Sequence, residues 1–299
     1  MSSPPSSIFL DLGFLQVRWY GVLITLGMII AVNVAAREAG RKGIDDPSVV
    51  WDGALLVIVL GLIGARLYHV VSSPNDGSGS GLAYYLRNPL EIIAIWKGGL
   101  GIFGGLLGGI FGIVIVAWRN KISLRKLFDC VALGVPLAQA LGRWGNFFNQ
   151  ELYGPPTSSS WWGIQIDAAH RTRAGRYDFT DMQQYPPNTL FHPTFFYESM
   201  WNLLGFGVLF FVSRRFRAQL RDGDIGALYL IWYGVGRIWV ELGFRPDAWT
   251  LGSLPTAVWV SLGAISVGMI MLIAYRRLPT PTPSANILNP DAAATGESA

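Results

Sequence analysis

The densest chemistry in the chain lies in Gly142-Arg143-Trp144-Gly145-Asn146-Phe147-Phe148-Asn149-Gln150-Glu151-Leu152-Tyr153-Gly154. An arginine, the amides of Asn146, Asn149 and Gln150, the carboxylate of Glu151 and three glycines follow directly on an apolar run. A guanidinium beside amide donors is suited to holding an anion. Asn146 stands three residues after Arg143 and Gln150 seven, so they share a face for as long as the chain stays helical. Gly145 and Gly154 would instead let the backbone turn or approach a ligand closely. Two more arginines stand inside apolar runs: Arg66 in Gly64-Ala65-Arg66-Leu67-Tyr68 and Arg237 in Gly236-Arg237-Ile238-Trp239-Val240-Glu241. An arginine at mid-bilayer costs roughly 2.5–3.5 kcal/mol on insertion scales, so it is expected to pair or to line a polar cavity. Arg237 and Glu241 are four apart and can pair on one helix face.

Other groups gather near the same edge. Arg18-Trp19-Tyr20 opens the first apolar run, and His192-Pro193-Thr194-Phe195-Phe196-Tyr197-Glu198 leads into a later one with an imidazole, a phenol and a carboxylate. The histidines His69, His170 and His192 lack metal-ligand spacing, so no metal and no cofactor are expected. Cys130 is the only cysteine, which excludes an intramolecular disulfide and a cysteine zinc site. No Gly-x-Ser-x-Gly elbow and no P-loop occur.

The elements that must position these groups are apolar helices. The chain has 299 residues, 51% hydrophobic and only 14% charged, against about 25% charged in a soluble domain. The expected fold is an all-α polytopic membrane protein with seven transmembrane helices, at about 19–36, 50–71, 99–118, 127–142, 195–212, 225–242 and 255–275. A long extracytoplasmic segment, 143–194, separates spans 4 and 5, and a segment of this length is usually functional. Arg37, Arg41, Lys42, Arg119, Lys121, Arg125, Lys126, Arg214, Arg215, Arg217, Arg221, Arg276 and Arg277 all fall on one side in short links. The positive-inside rule places that side in the cytoplasm, with the N-terminus outside and the C-terminus inside. The same scatter explains the basic balance without nucleic acid. Residues 1–278 form one membrane domain, 72–98 begin with a flexible polar stretch, and 279–299 read as a disordered cytoplasmic tail. No cleavable signal is evident. In span 3, Gly101, Gly105 and Gly109 form one row and Gly104, Gly108 and Gly112 another, a spacing for close helix packing, while Gly98 and Gly99 at its mouth are expected to line a cavity. A cationic, amide-rich patch at the polar edge of a bilayer suits an anionic lipid head group.

Gly142-Arg143-x-Gly145-Asn146-Phe147-x-Asn149-x-Glu151-x-x-Gly154 resembles the signature of prolipoprotein diacylglyceryl transferases, bacterial inner-membrane enzymes. Further matches run in order from about residue 8 to 277: Trp19-Tyr20-Gly21, Gly64-x-Arg66, Trp96-Lys97-Gly98-Gly99, His192-Pro193 with Tyr197-Glu198, and Gly236-Arg237 to Glu241 followed by Arg245-Pro246-Asp247. The resemblance implies transfer of the diacylglyceryl group of phosphatidylglycerol to the lipobox cysteine thiol of a prolipoprotein, with release of glycerol phosphate. It implies that Arg143 and Arg237 take the phosphate, that Asn146 donates hydrogen bonds, and that Tyr20, Glu151, Gly154 and Glu241 occupy important positions. Arg66, Gly98, Gly99 and Asn149 are placed with the lipid-binding residues.

One position departs from the family. Many members carry a histidine, proposed as the base, at the start of span 3, where this chain has Phe103. His192, Glu151 and Glu241 are the alternatives, as is thiolate formation without a dedicated base. Glu241 would orient rather than abstract a proton if it pairs with Arg237. Two other classes fit less well: a CDP-alcohol phosphotransferase would need an aspartate cluster for metal, and a lipid or anion transporter would be expected to show internal repeats.

Overall fold

Long apolar runs satisfy their own backbone as helices, and seven long helices stand among the described residues. The computed structural model describes residues 1–74, 81–175, 177–246 and 250–277. In order, the elements are β1 Ile8–Asp11, β2 Gln16–Arg18, α1 Trp19–Arg41, α2 Val49–Ser72, α3 Leu82–Arg87, α4 Ile102–Arg119, α5 Leu124–Phe148, β3 Ile164–Gln165, β4 Arg173–Ala174, β5 Tyr177–Asp178, β6 Leu190–Phe191, α6 Thr194–Arg215, α7 Asp224–Phe244, β7 Thr250–Leu251, β8 Leu254–Pro255 and α8 Thr256–Arg277. Among the described residues, α1, α2, α4, α6 and α8 are long and apolar enough to cross a membrane. The other two long helices, α5 and α7, carry Arg143, Asn146, Arg237 and Glu241.

Two of the boundaries that differ from the sequence expectation bear on the site. α5 begins before 127 and continues to Phe148, so the first half of the glycine-arginine motif is helical and the segment between α5 and α6 starts at Asn149. α4 begins at Ile102, leaving Gly98 and Gly99 in a turn at φ 87° and 74°, a region open to glycine without strain. After the polar stretch the segment continues as α3 and two short 3-10 turns, Pro89–Ile93 and Ile95–Lys97; most of the stretch expected to be flexible, 75–80, and the tail 279–299 expected to be disordered lie outside the described residues.

Helices approach closely where glycine removes a side chain. A Cβ on Gly64 would stand 3.2 Å from Gly108 Cα, so α2 and α4 meet nearly backbone to backbone. Gly104, Gly108 and Gly112 all face α2 in this way. α1 and α5 form a second such pair, with Gly27 against Ala138 and Gly134 against Ala31.

The segment between α5 and α6 is a small lobe with its own core. Tyr153, Ile164, Phe179, Tyr185 and Phe191 are buried together against Phe195 of α6. The buried Arg171 guanidinium donates to the carbonyls of Ile166, Tyr185, Pro186 and Pro187. β3 pairs with β6, and the Met1 amino group donates to Gly163 O at 2.5 Å, so the first residue lies against this lobe. The opposite ends of the helices are tied by Lys42 to Asp129 at 2.7 Å, by Arg214 to Glu38 at 2.8 Å and by Arg276 to Asp224 at 2.9 Å.

Candidate active site

The site is built from helix registers that the neighbours of its charged residues hold in place. Trp144, next to Arg143, donates its indole N–H to Ser199 Oγ at 3.2 Å, and Ser199 donates to Ala140 O at 3.0 Å. Those bonds align α5 with α6 beside Glu198. Trp201 and Trp232 stack at 4.6 Å and each donates to the other's carbonyl at 3.2 Å, aligning α6 with α7. Gly236 and Gly205 make room for the two indoles; a Cβ at Gly236 would overlap the Trp201 ring. On the other flank Gly145 lets the Tyr20 ring lie directly on α5.

These registers bring Arg143, Glu198, Arg237 and Glu241 together. Glu198 Oε1 stands 2.7 Å from Arg237 Nη1, and its Oε2 stands 3.0 Å from Arg143 Nε. Arg237 Nη2 stands 2.7 Å from Glu241 Oε2. The two carboxylate side chains are 7% and 4% exposed, while those of Arg143 and Arg237 are 26% and 16% exposed. The carboxylates therefore lie behind, and the guanidiniums face a cavity of about 500 Å³. Its wall includes Tyr20, Phe103, Asn146, Leu152 and Arg245, with Val260 and Ser261 of α8. Paired in this way, the cations keep donor edges free for an anion without the full cost of burying isolated charges.

Asn146 is buried and donates to Glu151 Oε1 at 2.8 Å; Asn149 donates to the same oxygen at 3.1 Å. Glu151 thus orients two amides at the rim. Gln150 turns away from this face: it exchanges hydrogen bonds with Asp167, at 2.6 and 2.8 Å, and sits at φ 52°. Leu152, on the cavity wall, sits at φ 56°. Two non-glycine residues in the left-handed region within three positions mark a strained turn beside the cavity, at of order 1–3 kcal/mol each. The bond from Gln150, aided by Ser3, holds the Asp167 carboxyl below its usual range.

Gly154 is a packing junction. A Cβ there would meet His192 Cβ at 2.9 Å, Thr194 Oγ1 at 3.0 Å and Phe244 O at 3.2 Å. His192 lies behind this junction, with Nδ1 3.0 Å from the Tyr197 hydroxyl and its ring against Phe244. Partial burial pushes its imidazole below the ordinary histidine value.

Arg66, Gly98 and Gly99 meet in a constellation of their own, and none of them is on the wall of this cavity. The buried Arg66 donates Nε to Ile92 O at 2.8 Å, Nη1 to Gly98 O at 2.7 Å and Gly99 O at 2.9 Å, and Nη2 to Glu91 O at 2.6 Å. This arginine anchors the segment before α4. The residue that sequence reasoning underweighted is Glu198: it was read as an outer-face carboxylate, yet an acidic residue inside an apolar run was the same signal that singled out Arg237.

Residues 7–274 match the family model described as prolipoprotein diacylglyceryl transferase. The chain is 38% identical over 270 residues to a phosphatidylglycerol–prolipoprotein diacylglyceryl transferase of Streptococcus agalactiae, covering 90% of this chain and 96% of the relative. It is 39% identical to the corresponding protein of Streptococcus mutans, covering 90% and 95%, and 38% identical to that of Synechococcus elongatus, covering 90% and 87%. The chain belongs to the prolipoprotein diacylglyceryl transferase family.

Proposed function

We propose that this protein transfers the diacylglyceryl group of phosphatidylglycerol to the cysteine thiol of a prolipoprotein lipobox. The observation that supports it most directly is the pair of guanidiniums, from α5 and α7, turned toward one cavity by a shared buried carboxylate. The sulfur attacks the glycerol carbon that carries the phosphate ester. A C–S bond forms, the C–O bond breaks, and glycerol phosphate leaves with its electron pair. The phosphate goes from monoanionic diester to monoester, so negative charge grows where Arg143 and Arg237 stand. Asn146 donates to the head group, held in place by Glu151. Glu241 and Glu198 orient Arg237.

The thiol must lose a proton, since the thiolate is the nucleophile and a free thiol has pKa about 8.5. Phe103 stands on the cavity wall, so no imidazole from that position serves this chain. Glu151, which accepts from Asn146 on the cavity wall, is the base we favour; it would pass the proton to solvent or to departing phosphate.

All seven long helices cross the bacterial inner membrane in this reading, with the cavity at its outer face and the basic links in the cytoplasm. α4 packs on α2 and α8 on α7, and the cavity lies between α4 and α8, so that cleft is the route for lipid from the bilayer. A prolipoprotein signal segment is the second substrate. The product carries two acyl chains, which is what stable anchoring takes.

The test is transfer of labelled diacylglyceryl from phosphatidylglycerol to a lipobox peptide by purified protein. Wild type and Phe103→Ala should transfer within about tenfold of each other, and Arg143→Ala should lose at least about 100-fold, or ~2.7 kcal/mol. Folded wild type that labels no thiol would return the site to lipid or anion transport.

A further inference from the structure

Beneath the charged cavity lies a second one that no step above uses. It measures about 250 Å³, and every side chain on its wall is apolar, among them Met28 and Ala31 of α1, Ala54 of α2, Ile113 of α4 and Val135 of α5, with glycine at position 53. A void of this kind inside a membrane domain is not a water site, because it has no polar partners for water.

Its position relates it to the charged cavity. On α1, Tyr20 and Ile24 line the upper cavity, and Met28, Ala31 and Ala35 continue the same face downward at helical spacing. On α5, Arg143 and Gln139 lead to Val135 and Val131. On α4, Leu106 leads to Ile113. The two cavities are thus successive stretches of one seam. The seam exists because the helices pair off: glycine welds α2 to α4 and α1 to α5, and small residues leave room between the two pairs. It is floored by a buried cluster that includes Ala39, Ile44, Val116, Leu127 and Cys130. From Ile24 to Ala35 the seam runs about 16 Å at 1.5 Å per residue. That is about half of the ~30 Å hydrocarbon core, the depth one leaflet's chains occupy.

We infer that the lower cavity is an acyl-chain slot: one fatty chain of the phospholipid runs down the seam between the α1–α5 and α2–α4 pairs while its phosphate rests on Arg143 and Arg237. This rests on the proposed function and adds a measure of chain length to it. The floor limits how long a chain fits without bending, and side-chain volume at Ala54 and Val135 sets that limit.

The experiment has two arms. In the first, kcat/KM for transfer is measured with phosphatidylglycerols of one head group and short or long saturated chains. Ala54→Phe and Val135→Phe should each lower the long-to-short ratio at least tenfold relative to wild type, with inhibition by free glycerol phosphate unchanged. Ala54→Leu serves if the larger side chains unfold the protein. In the second arm, wild-type protein is irradiated with phosphatidylglycerol carrying a diazirine in the distal half of one chain, and the adducts are mapped by mass spectrometry. Adducts on Val135, Ile113 or Ala54 support the slot. Adducts confined to the outward-facing Leu55 and Leu107, with an unchanged chain-length ratio, overturn it. Equal slot labelling by a photoreactive phosphatidylethanolamine would also overturn it, since the occupant would then be any bilayer lipid. Folded wild type that is labelled in the slot but transfers nothing would instead break the functional reading and leave a lipid-binding seam.

Discussion

Arg143 of α5 and Arg237 of α7 are joined through the two oxygens of one carboxylate, Glu198 on the helix between them, at 3.0 and 2.7 Å. Two guanidiniums held this close would repel one another without it. The carboxylate therefore sets both their spacing and their direction, and leaves their remaining donors toward the cavity.

Removing that charge should be felt in catalysis and in stability. Glu198→Gln should lower kcat/KM by on the order of 100-fold, about 2.7 kcal/mol. It should also lower the unfolding midpoint, because breaking a buried pair by one partner costs about 3–5 kcal/mol. Glu198→Asp, too short to reach both arginines, should fall between. Transfer kinetics and thermal melts in detergent check both effects; Glu198→Gln at wild-type activity would remove Glu198 from the site.

Gly236 should tolerate no side chain, although the next glycine on its helix should. Gly236→Ala pushes into the Trp201 indole and breaks the α6–α7 register, for about 1–3 kcal/mol. Gly243 has nothing within 4 Å of an added Cβ, so Gly243→Ala should leave stability and activity near wild type. Near-ultraviolet circular dichroism of the stacked Trp201 and Trp232 should change only in the first variant.

Arg66 should behave as an anchor. Lysine cannot serve four carbonyls spread over Glu91, Ile92, Gly98 and Gly99 from one ammonium, so Arg66→Lys should loosen that segment. The expected result is faster hydrogen exchange over residues 82–99, with the affinity for free glycerol phosphate unchanged. A large loss of that affinity with unchanged exchange would put Arg66 back at the anion site.

His192 should make the protein acid-sensitive. Burial holds its imidazole below the ordinary value near 6.5, so the folded state favours the neutral ring and the unfolded chain takes up the proton first. This contribution is full above pH ~6.5 and is lost as pH falls through the lower, folded value. Between pH 7 and 5 the melting temperature of His192→Gln should fall less than that of wild type. Equal slopes would mean that other groups set the acid limb.

What the sequence alone determined is local. Apolar runs announce helices, because a segment in lipid has to satisfy its own backbone. The arginine-amide motif, the i,i+4 pair of Arg237 and Glu241, and the glycine rows were legible for the same reason: spacing on one helix is fixed by 3.6 residues per turn. What tertiary structure decided is which distant groups meet. Arg66 and Arg237 look alike in sequence, each an arginine inside an apolar run after a glycine-rich approach, yet one is spent on backbone carbonyls and the other faces the cavity. That difference depends on how each helix is rotated and slid against its neighbours. The interlocked Trp201 and Trp232, the Trp144–Ser199 bond and the glycine contacts set those registers through groups far apart in the chain, which no pattern along a single helix records.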